Sequence, residues 1–459
     1  MQGVVALAGY GGAVVAFLLA LRQAWTGAMS LRMVLTVAML LHGLALALPL
    51  LASQDAFLYG MYGRMAGLHH VNPYVASPLS FRSDPIFPFV GSPGRQLSAF
   101  YGPAFILLST VLARAIRSVN GLIFAYKLLS ATASIGTLLL IAAVARRLHP
   151  GRAPFATLLF GWNPLVLLFV VGGGHNDAMV ALAIAIAFWL AVREREGTEP
   201  GLLGRELLTT AALTLGFLVK FAVAIPLILW IDWAVFRRDA GRRLRPFTAH
   251  AGLAAGLSLA FYLPFWQVRD PTYGIAKLSE WGNFLTPAAF VLLLFVLSLA
   301  SFPSTLAPSP GLRSIRYAFV AGFVAMVALL SRSIARRAKV LSPEHLGAIW
   351  TWALLLFLLT LPLLQPWYLV WLLPLLWLLP RTPFVATLAF TLVLPSFVVV
   401  NNVRSSGVYD TLVPVAFLVL DPVSLVFLYY VVRELWRWIT GDDPIAADLP
   451  DAPVVPVNP

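Results

Sequence analysis

Residues Ile123 to Ala145 read IFAYKLLSATASIGTLLLIAAVA and are closed at once by Arg146 and Arg147. A helix needs about 20 mostly apolar residues to cross the hydrocarbon of a bilayer, and this run supplies them. Met33 to Ala52 (MVLTVAMLLHGLALALPLLA) and Thr411 to Val432 (TLVPVAFLVLDPVSLVFLYYVV) have the same character, and similar runs fill most of the chain. Of 459 residues, 60% are hydrophobic and 11% charged, against a charged share of roughly a quarter in soluble domains. The solvent of most of this chain is therefore lipid, and the expected fold is all-α, a polytopic transmembrane helix bundle.

The net charge of +13 does not point to nucleic acid, because the Lys and Arg residues sit in short clusters between apolar runs rather than along one soluble face. Those clusters are Arg22 to Arg32, Arg146 to Arg152, Arg193 to Arg205, Arg237 to Arg245, Arg332 to Lys339 and Arg433 to Arg437. Cytoplasmic loops are enriched in Lys and Arg, so the clusters orient the spans between them. Cys is absent, which removes disulfides, thiolate nucleophiles and Cys-ligated metals. The first apolar run, Gly3 to Leu21, has no basic segment before it and no small-residue cleavage site after it, and is read as a retained span.

With the basic clusters inside, about thirteen spans follow from hydropathy and charge bias. Residues 1–440 form one transmembrane unit, and 441–459, rich in Asp and Pro, read as a disordered cytoplasmic tail. Residues 53–121 are expected as an extracytoplasmic loop, since Pro73, Pro78, Pro85, Pro88 and Pro93 are interleaved there with Asp, His, Arg and Tyr, a composition unsuited to lipid. Tyr101 to Leu112 reads as an interfacial helix within that loop, because counting it as a span would place Arg146, Arg147 and Arg152 outside. The same conflict makes Pro287 to Phe302 a re-entrant or interfacial helix in a second outer region, 266–313. Leu207 to Val235 reads as a tight pair bent near Lys220, and Trp367 to Leu379 as one of the spans. No internal repeat is visible, which weakens a transporter reading.

Ionisable groups in or beside spans are costly and are candidates for function. Under this topology Asp55, Arg64, His69, His70, Asp84, Arg95, His175, Asp177, Lys220, Arg269, Asp270, Glu280, Gln365 and Arg404 gather at the outer face. Asp55 either caps a helix or serves as a general base for a hydroxyl. Gly172-Gly173-Gly174-His175-Asn176-Asp177 is either a capped turn or a sugar- or phosphate-binding loop whose glycines admit close backbone approach. Lys220 either snorkels or clamps a phosphate oxygen. Gln365-Pro366-Trp367-Tyr368 is either an aromatic interface anchor or a sugar-stacking subsite. No metal-ligand spacing, phosphate-binding glycine loop or Ser elbow is present. No cofactor is expected, and a divalent ion held by a lone outer-loop Asp or His stays open.

The order Ser53-Gln54-Asp55, Gly63-Arg64, Asn72-Pro73-Tyr74, Tyr101-Gly102-Pro103, Trp162-Asn163-Pro164, His175-Asn176-Asp177, Lys220 and Pro366-Trp367-Tyr368 resembles the GT-C membrane glycosyltransferases. It is most similar to the bacterial polyprenyl-phosphate-mannose-dependent mannosyltransferases, over roughly Leu31 to Leu379. The resemblance implies a large first outer loop with interfacial helices, the bacterial inner membrane, and an active site on the extracytoplasmic side. It implies inverting transfer of a sugar, mannose by likeness, from a polyprenyl-phosphate donor to a glycan or lipid-linked acceptor, with Asp55 as catalytic base. Lys220, Arg64 and Arg269 would hold the donor phosphate. His175, Asn176, Asp177, Tyr101, Gln365, Trp367 and Tyr368 would shape the sugar and acceptor subsites. Many relatives carry two adjacent acids where this chain has Gln54 before a single Asp55, which leaves acceptor and metal dependence open. The rival reading is a lipid-linked-saccharide transporter or flippase, which would distribute polar groups across the bilayer rather than at one face.

Overall fold

A computed structural model describes residues 2–50, 53–92, 94–194, 203–266, 287, 291, 310–361, 364–401 and 408–441. The described secondary structure is entirely helical. Helices α1 (Gln2–Trp25) and α2 (Leu31–Ala47) are followed by α3 (Asp55–Gly67), short 3-10 turns, and α4 (Pro103–Ala115). Then come α5 (Val119–Leu148), α6 (Ala153–Gly161), α7 (Asp177–Glu194), α8 (Leu203–Phe217), α9 (Ala224–Phe236) and α10 (Leu244–Tyr262). The C-terminal part adds α11 (Pro310–Arg337), α12 (Pro343–Thr360), α13 (Arg381–Asn401) and α14 (Val408–Thr440).

Local chemistry sets several of these boundaries. Ser30, Ser118 and Ser342 cap α2, α5 and α12 by accepting from the amides of Met33, Gly121 and His345, which satisfies otherwise free N–H groups. The run from α6 breaks at Trp162-Asn163-Pro164 because proline lacks an amide and disfavours helix in the residue before it. The chain resumes as a π-helical turn, Leu165–Val171, bent by 41° from the preceding piece. The Asn163 side chain accepts from Leu165 N at 3.0 Å, and Trp162 Nε1 donates to Val34 O on α2 at 3.0 Å.

Four described helices are long and apolar enough to cross a membrane: Val5–Trp25, Val119–Leu148, Tyr317–Arg337 and Pro343–Thr360. The bent pair Pro150–Gly161 with Leu165–Val171 would make a fifth. Leu31–Ala47, Pro103–Ala115 and Phe221–Phe236 are apolar but shorter. The expectation of about thirteen spans thus meets four or five helices of membrane length. Hydropathy counts apolar runs, whereas many of these runs are cut by Pro or Gly, or are apolar because protein rather than lipid covers them. Trp367 to Leu379 is the clearest correction. It is two short 3-10 pieces, Pro366–Trp371 and Leu376–Leu378, not a regular helix, and every residue from Pro366 to Leu379 is buried. Irregular backbone at membrane depth survives only inside protein.

The Tyr101 to Leu112 stretch is helical as α4 and packs on α3. The contact is close because α3 presents glycines: a Cβ on Gly63 would sit 2.3 Å from Ser109 O. Pro287 to Phe302, apart from residues 287 and 291, and residues 442–459 lie outside the described residues, as does most of the 266–313 region.

Helices α5, α7 and α8 form the centre, with α6 and α2 on one side and α9, α10, α11 and α12 on the other. The α8–α9 pair turns over at Lys220, as its sequence suggests. Its other end carries Glu206, fully buried, which accepts from Arg237 and, at 2.8 Å, from Arg238. His250 on α10 lies 3.5 Å from Glu206 and hydrogen-bonds Thr210 at 2.6 Å, and Trp230 Nε1 donates to Thr210 at 3.1 Å. This polar knot ties α8, α9 and α10 together at the end opposite Lys220, one helix length or about 20 Å away at 1.5 Å per residue.

Candidate active site

Five separate pieces of chain meet at the Lys220 end: the start of α3, the Tyr101 stretch just before α4, the Gly172 to Asp177 loop before α7, the break between α8 and α9, and the buried 3-10 turn after α12. Asp55 opens α3 without capping it. The cap position is Gln54, which makes no side-chain capping bond, and the Asp55 amide donates to Ser53 Oγ at 3.0 Å. The Asp55 side chain is therefore left 31% exposed on the rim of the cluster, with Oδ2 3.6 Å from His175 Nδ1.

The loop behind it is shaped by glycine. Gly174 has φ +66°, and a Cβ there would lie 3.2 Å from Lys127 N. This is the left-handed region that side chains resist. His175 is fully buried, stacks on Trp367 with ring centroids 4.1 Å apart, and sits 4.0 Å from Asp177 Oδ2. Neither ring nitrogen has a hydrogen-bond partner among the described residues. Asn176 accepts from Tyr59 OH at 3.3 Å rather than capping α7, and Asn176 Nδ2 and Asp177 Oδ2 are buried without a partner. Such orphaned polar groups are uncommon and call for an explanation.

Lys220 does not snorkel. It is 7% exposed, and its ammonium donates to Asp177 Oδ1 at 2.8 Å. It lies 4.3 Å from the ring centre of Tyr368, 5.2 Å from Trp371 and 5.8 Å from Tyr101, a cage that favours a cation through the ring quadrupoles. Trp371 Nε1 donates to the same Asp177 oxygen at 2.7 Å. Trp367, Tyr368 and Trp371 are buried against these polar groups, so they are not arranged as lipid-interface anchors. The first loop is stitched to the Lys220 segment by Gly102 N to Val219 O and Ala104 N to Leu218 O, both 3.0 Å. Tyr101 is thereby held against Tyr59, with centroids 5.0 Å apart.

Electrostatically the rim and the interior differ. Burial pushes the Asp55 carboxyl up to about 6, with Lys220 pulling it down and Asp177 pushing it up. Burial, reinforced by Lys220, holds His175 well below the ordinary imidazole range, so the ring is neutral. The site offers a carboxylate poised near neutrality, a neutral imidazole behind it, and an aromatic-walled cation.

The structure brings together Asp55, His175, Asn176, Asp177, Lys220, Tyr101, Trp367 and Tyr368. Gln365 is half-buried just before the 3-10 turn, and its carbonyl accepts from Tyr368 N at 3.0 Å. Arg64 is placed elsewhere: its Nε donates to both oxygens of Asp84, at 2.8 and 3.0 Å, and its Nη1 donates to Arg117 O at 3.2 Å. His69 completes that group at 2.7 Å from Asp84. Arg269, Asp270, Glu280 and Arg404 lie outside the described residues. Trp371 and Tyr59 were not singled out as site residues by sequence. The signal for Trp371 was available in Trp367 and Trp371 falling within one short proline-bounded segment. Among the described residues no group of three His, Cys, Asp or Glu is arranged to hold a metal ion.

Residues 1–237 match the family model described as "Alpha-(1->6)-mannopyranosyltransferase, N-terminal domain". The chain is 26% identical over 272 residues to alpha-(1->6)-mannopyranosyltransferase A of Mycobacterium tuberculosis, covering 56% of this chain and 49% of that protein. It is 24% identical over 181 residues to alpha-(1->6)-mannopyranosyltransferase A of Corynebacterium glutamicum, covering 39% of this chain and 34% of that protein. The chain thus spans about half or less of the length of the curated relatives it matches. No solved structure matches it significantly. The matched half contains Asp55, the His175-Asn176-Asp177 loop and Lys220, and by that match the chain belongs to the alpha-(1->6)-mannopyranosyltransferase family.

Proposed function

We propose that this protein is an inverting mannosyltransferase that takes its sugar from a polyprenyl-phosphate donor and passes it to a hydroxyl of a glycan or lipid-linked acceptor on the extracytoplasmic side of the bacterial inner membrane. The observation that carries the reading is Asp55: a carboxyl on the rim of a buried polar cluster, raised to about 6, beside a neutral imidazole. The names of the relatives support mannose as the sugar. The side of the membrane is supported by charge. Arg146 and Arg147 end α5, Arg193 ends α7, and Arg237 and Arg238 follow α9, all at the end away from Asp55, and Arg-rich ends face the cytoplasm.

In this reading the acceptor hydroxyl lies between Asp55 and the anomeric carbon. As the acceptor oxygen bonds to C1, the C1–O bond to phosphate breaks, the hydroxyl proton passes to Asp55, and polyprenyl phosphate departs with the electron pair. Attack opposite the phosphate inverts the centre, so a β-linked donor yields an α-linked product, by the same geometry that inverting hydrolases use with water. The phosphate leaves as an anion and needs neutralisation rather than a strong general acid. Lys220 keeps two ammonium protons beyond the one given to Asp177, and these can meet a phosphate oxygen. Trp367, Tyr368 and Tyr101 wall the sugar subsite, and Asn176 and Asp177 retain unpaired polar atoms for sugar hydroxyls.

The test is transfer from synthetic polyprenyl-phosphate-mannose to an oligosaccharide panel, followed by mass spectrometry, with wild type and Asp55→Asn. Asp55→Asn removes the base at constant size, and transfer should fall at least about a hundredfold, the usual worth of a positioned base, with thermal stability retained. Transfer at the wild-type rate in that variant would remove Asp55 from the role.

A further inference from the structure

Lys127 lies on α5, eight residues past the start of that helix, and is 4% exposed. Its ammonium donates to Leu48 O, the carbonyl just past the end of α2. Among the described residues it forms no ion pair and no other hydrogen bond. An ammonium has three donors, and a single neutral carbonyl leaves both its charge and two protons unanswered. Burial of a cation without an anion is costly, and inside a membrane protein it marks a site by default.

Its position is also specific. The stem of Lys127 passes beneath Gly174, whose Cβ, were one present, would lie 3.3 Å from Lys127 Cγ. The adjacent Tyr126 packs its ring on Tyr59, centroids 5.6 Å apart, one helical turn from Asp55. The Leu48 carbonyl belongs to the connection that runs into Ser53-Gln54-Asp55. Lys127 therefore sits under both chain segments that carry the proposed base and the His175 loop. On the same helix Phe124 and Leu128 are exposed at 52% and 48%, and Leu44 on α2 at 65%, so the cation borders surface suited to acyl or prenyl chains.

Lys220 differs in kind, since Asp177 already neutralises it. We infer that Lys127 is an anion site at the lipid-facing edge of the cluster, built to take the phosphate of a prenyl-phosphate lipid whose chain lies along α5 and α2. The inference rests on the donor class proposed above and deepens it by adding Lys127 to Lys220 as a group that holds the phosphate.

The experiment uses the full chain in nanodiscs and two probes, a polyprenyl phosphate and the same polyprenol without phosphate. Lys127→Gln keeps an N–H for the Leu48 carbonyl and removes only the charge, so a purely structural strut would leave phosphate binding unchanged. The expected result is a wild type that prefers the phosphate over the alcohol, a loss of about tenfold or more in phosphate affinity for Lys127→Gln, and near-wild-type binding for Lys127→Arg. A second measurement needs no variant. An acyl-phosphate analogue of the lipid, added at alkaline pH, transfers its acyl group to the amine that holds its phosphate, the neutral form of the amine attacking the acyl carbon, the lipid phosphate leaving and the nitrogen releasing a proton to water. Peptide mapping should then recover the acyl group on Lys127. Equal affinity in Lys127→Gln, or acyl label on Lys220 alone or on no lysine, overturns the inference while transfer by wild type and its loss in Asp55→Asn keep the proposed function. A wild type indifferent to the phosphate overturns both.

Discussion

Asp55 shows how position tunes a single side chain. At the start of α3 its carboxyl lies on the rim of a buried polar cluster, and burial pushes it up to about 6. A base works only when deprotonated, so the sign follows directly. Log kcat/KM should fall by one unit per pH unit below about 6 and level off above about 7. A rate that stays flat from pH 5 to 8 would contradict Asp55 as base. Asp177 and Lys220 behave differently because they neutralise each other inside the protein. Removing one partner strands a buried charge, so Asp177→Asn or Lys220→Met alone should cost about 3 kcal/mol. The double variant should recover part of that loss without recovering transfer. Thermal unfolding of the four proteins forms the cycle that checks it, and strict additivity would show that the pair is not coupled.

Among the elements, the loop before α7 and the break before α9 carry the site because neither is regular. Gly174→Ala forces a side chain into left-handed backbone, at a cost of about 1–2 kcal/mol, and presses on Lys127. His175 and Asn176 should shift with it, so transfer should drop at least about tenfold while the fold persists, a split between activity and melting temperature that separates positioning from unfolding. The motifs quoted from the sequence acquire reasons at this scale. Gly63 lets α3 approach Ser109 on α4. Trp162-Asn163-Pro164 makes the bend after α6. Gly102 lies so close to Leu218 O that a Cβ would fall 2.1 Å from it, which is how the first loop is fastened beside Lys220. The same local reasoning misjudged Trp367 to Leu379, since an apolar run covered by protein and one covered by lipid have the same composition.

Across the whole molecule, the two ends of the α8–α9 pair do different work. One end carries the open cluster with its orphaned atoms. The other carries Glu206, whose carboxylate is held below its usual range although burial alone would raise it, because His250, Arg237 and Arg238 outweigh that burial. Glu206→Ala leaves two partly buried guanidinium groups facing each other and should destabilise the protein by about 3 kcal/mol, read as a lower melting temperature in detergent. Because the knot is about 20 Å from Lys220, the fraction that stays folded should keep its KM for the donor. A changed donor KM at unchanged stability would place the knot in the site instead.

The sequence by itself determined the solvent, the helical class, the charge bias between the two ends and the ordered motifs that resemble a glycosyltransferase family, because each follows from composition or short-range spacing. Only the tertiary structure decided how the charges are paired. Arg64 and Lys220 read alike in sequence as phosphate clamps, yet Arg64 closes on Asp84 within the first loop, and Lys220 closes on Asp177 from 43 residues away. Trp371 reaches Asp177 across 194 residues, and Lys127 ends buried against a lone carbonyl. Periodicity reports which face of a helix is apolar but not which distant helix covers it, and the state of a buried charge is set by that neighbour.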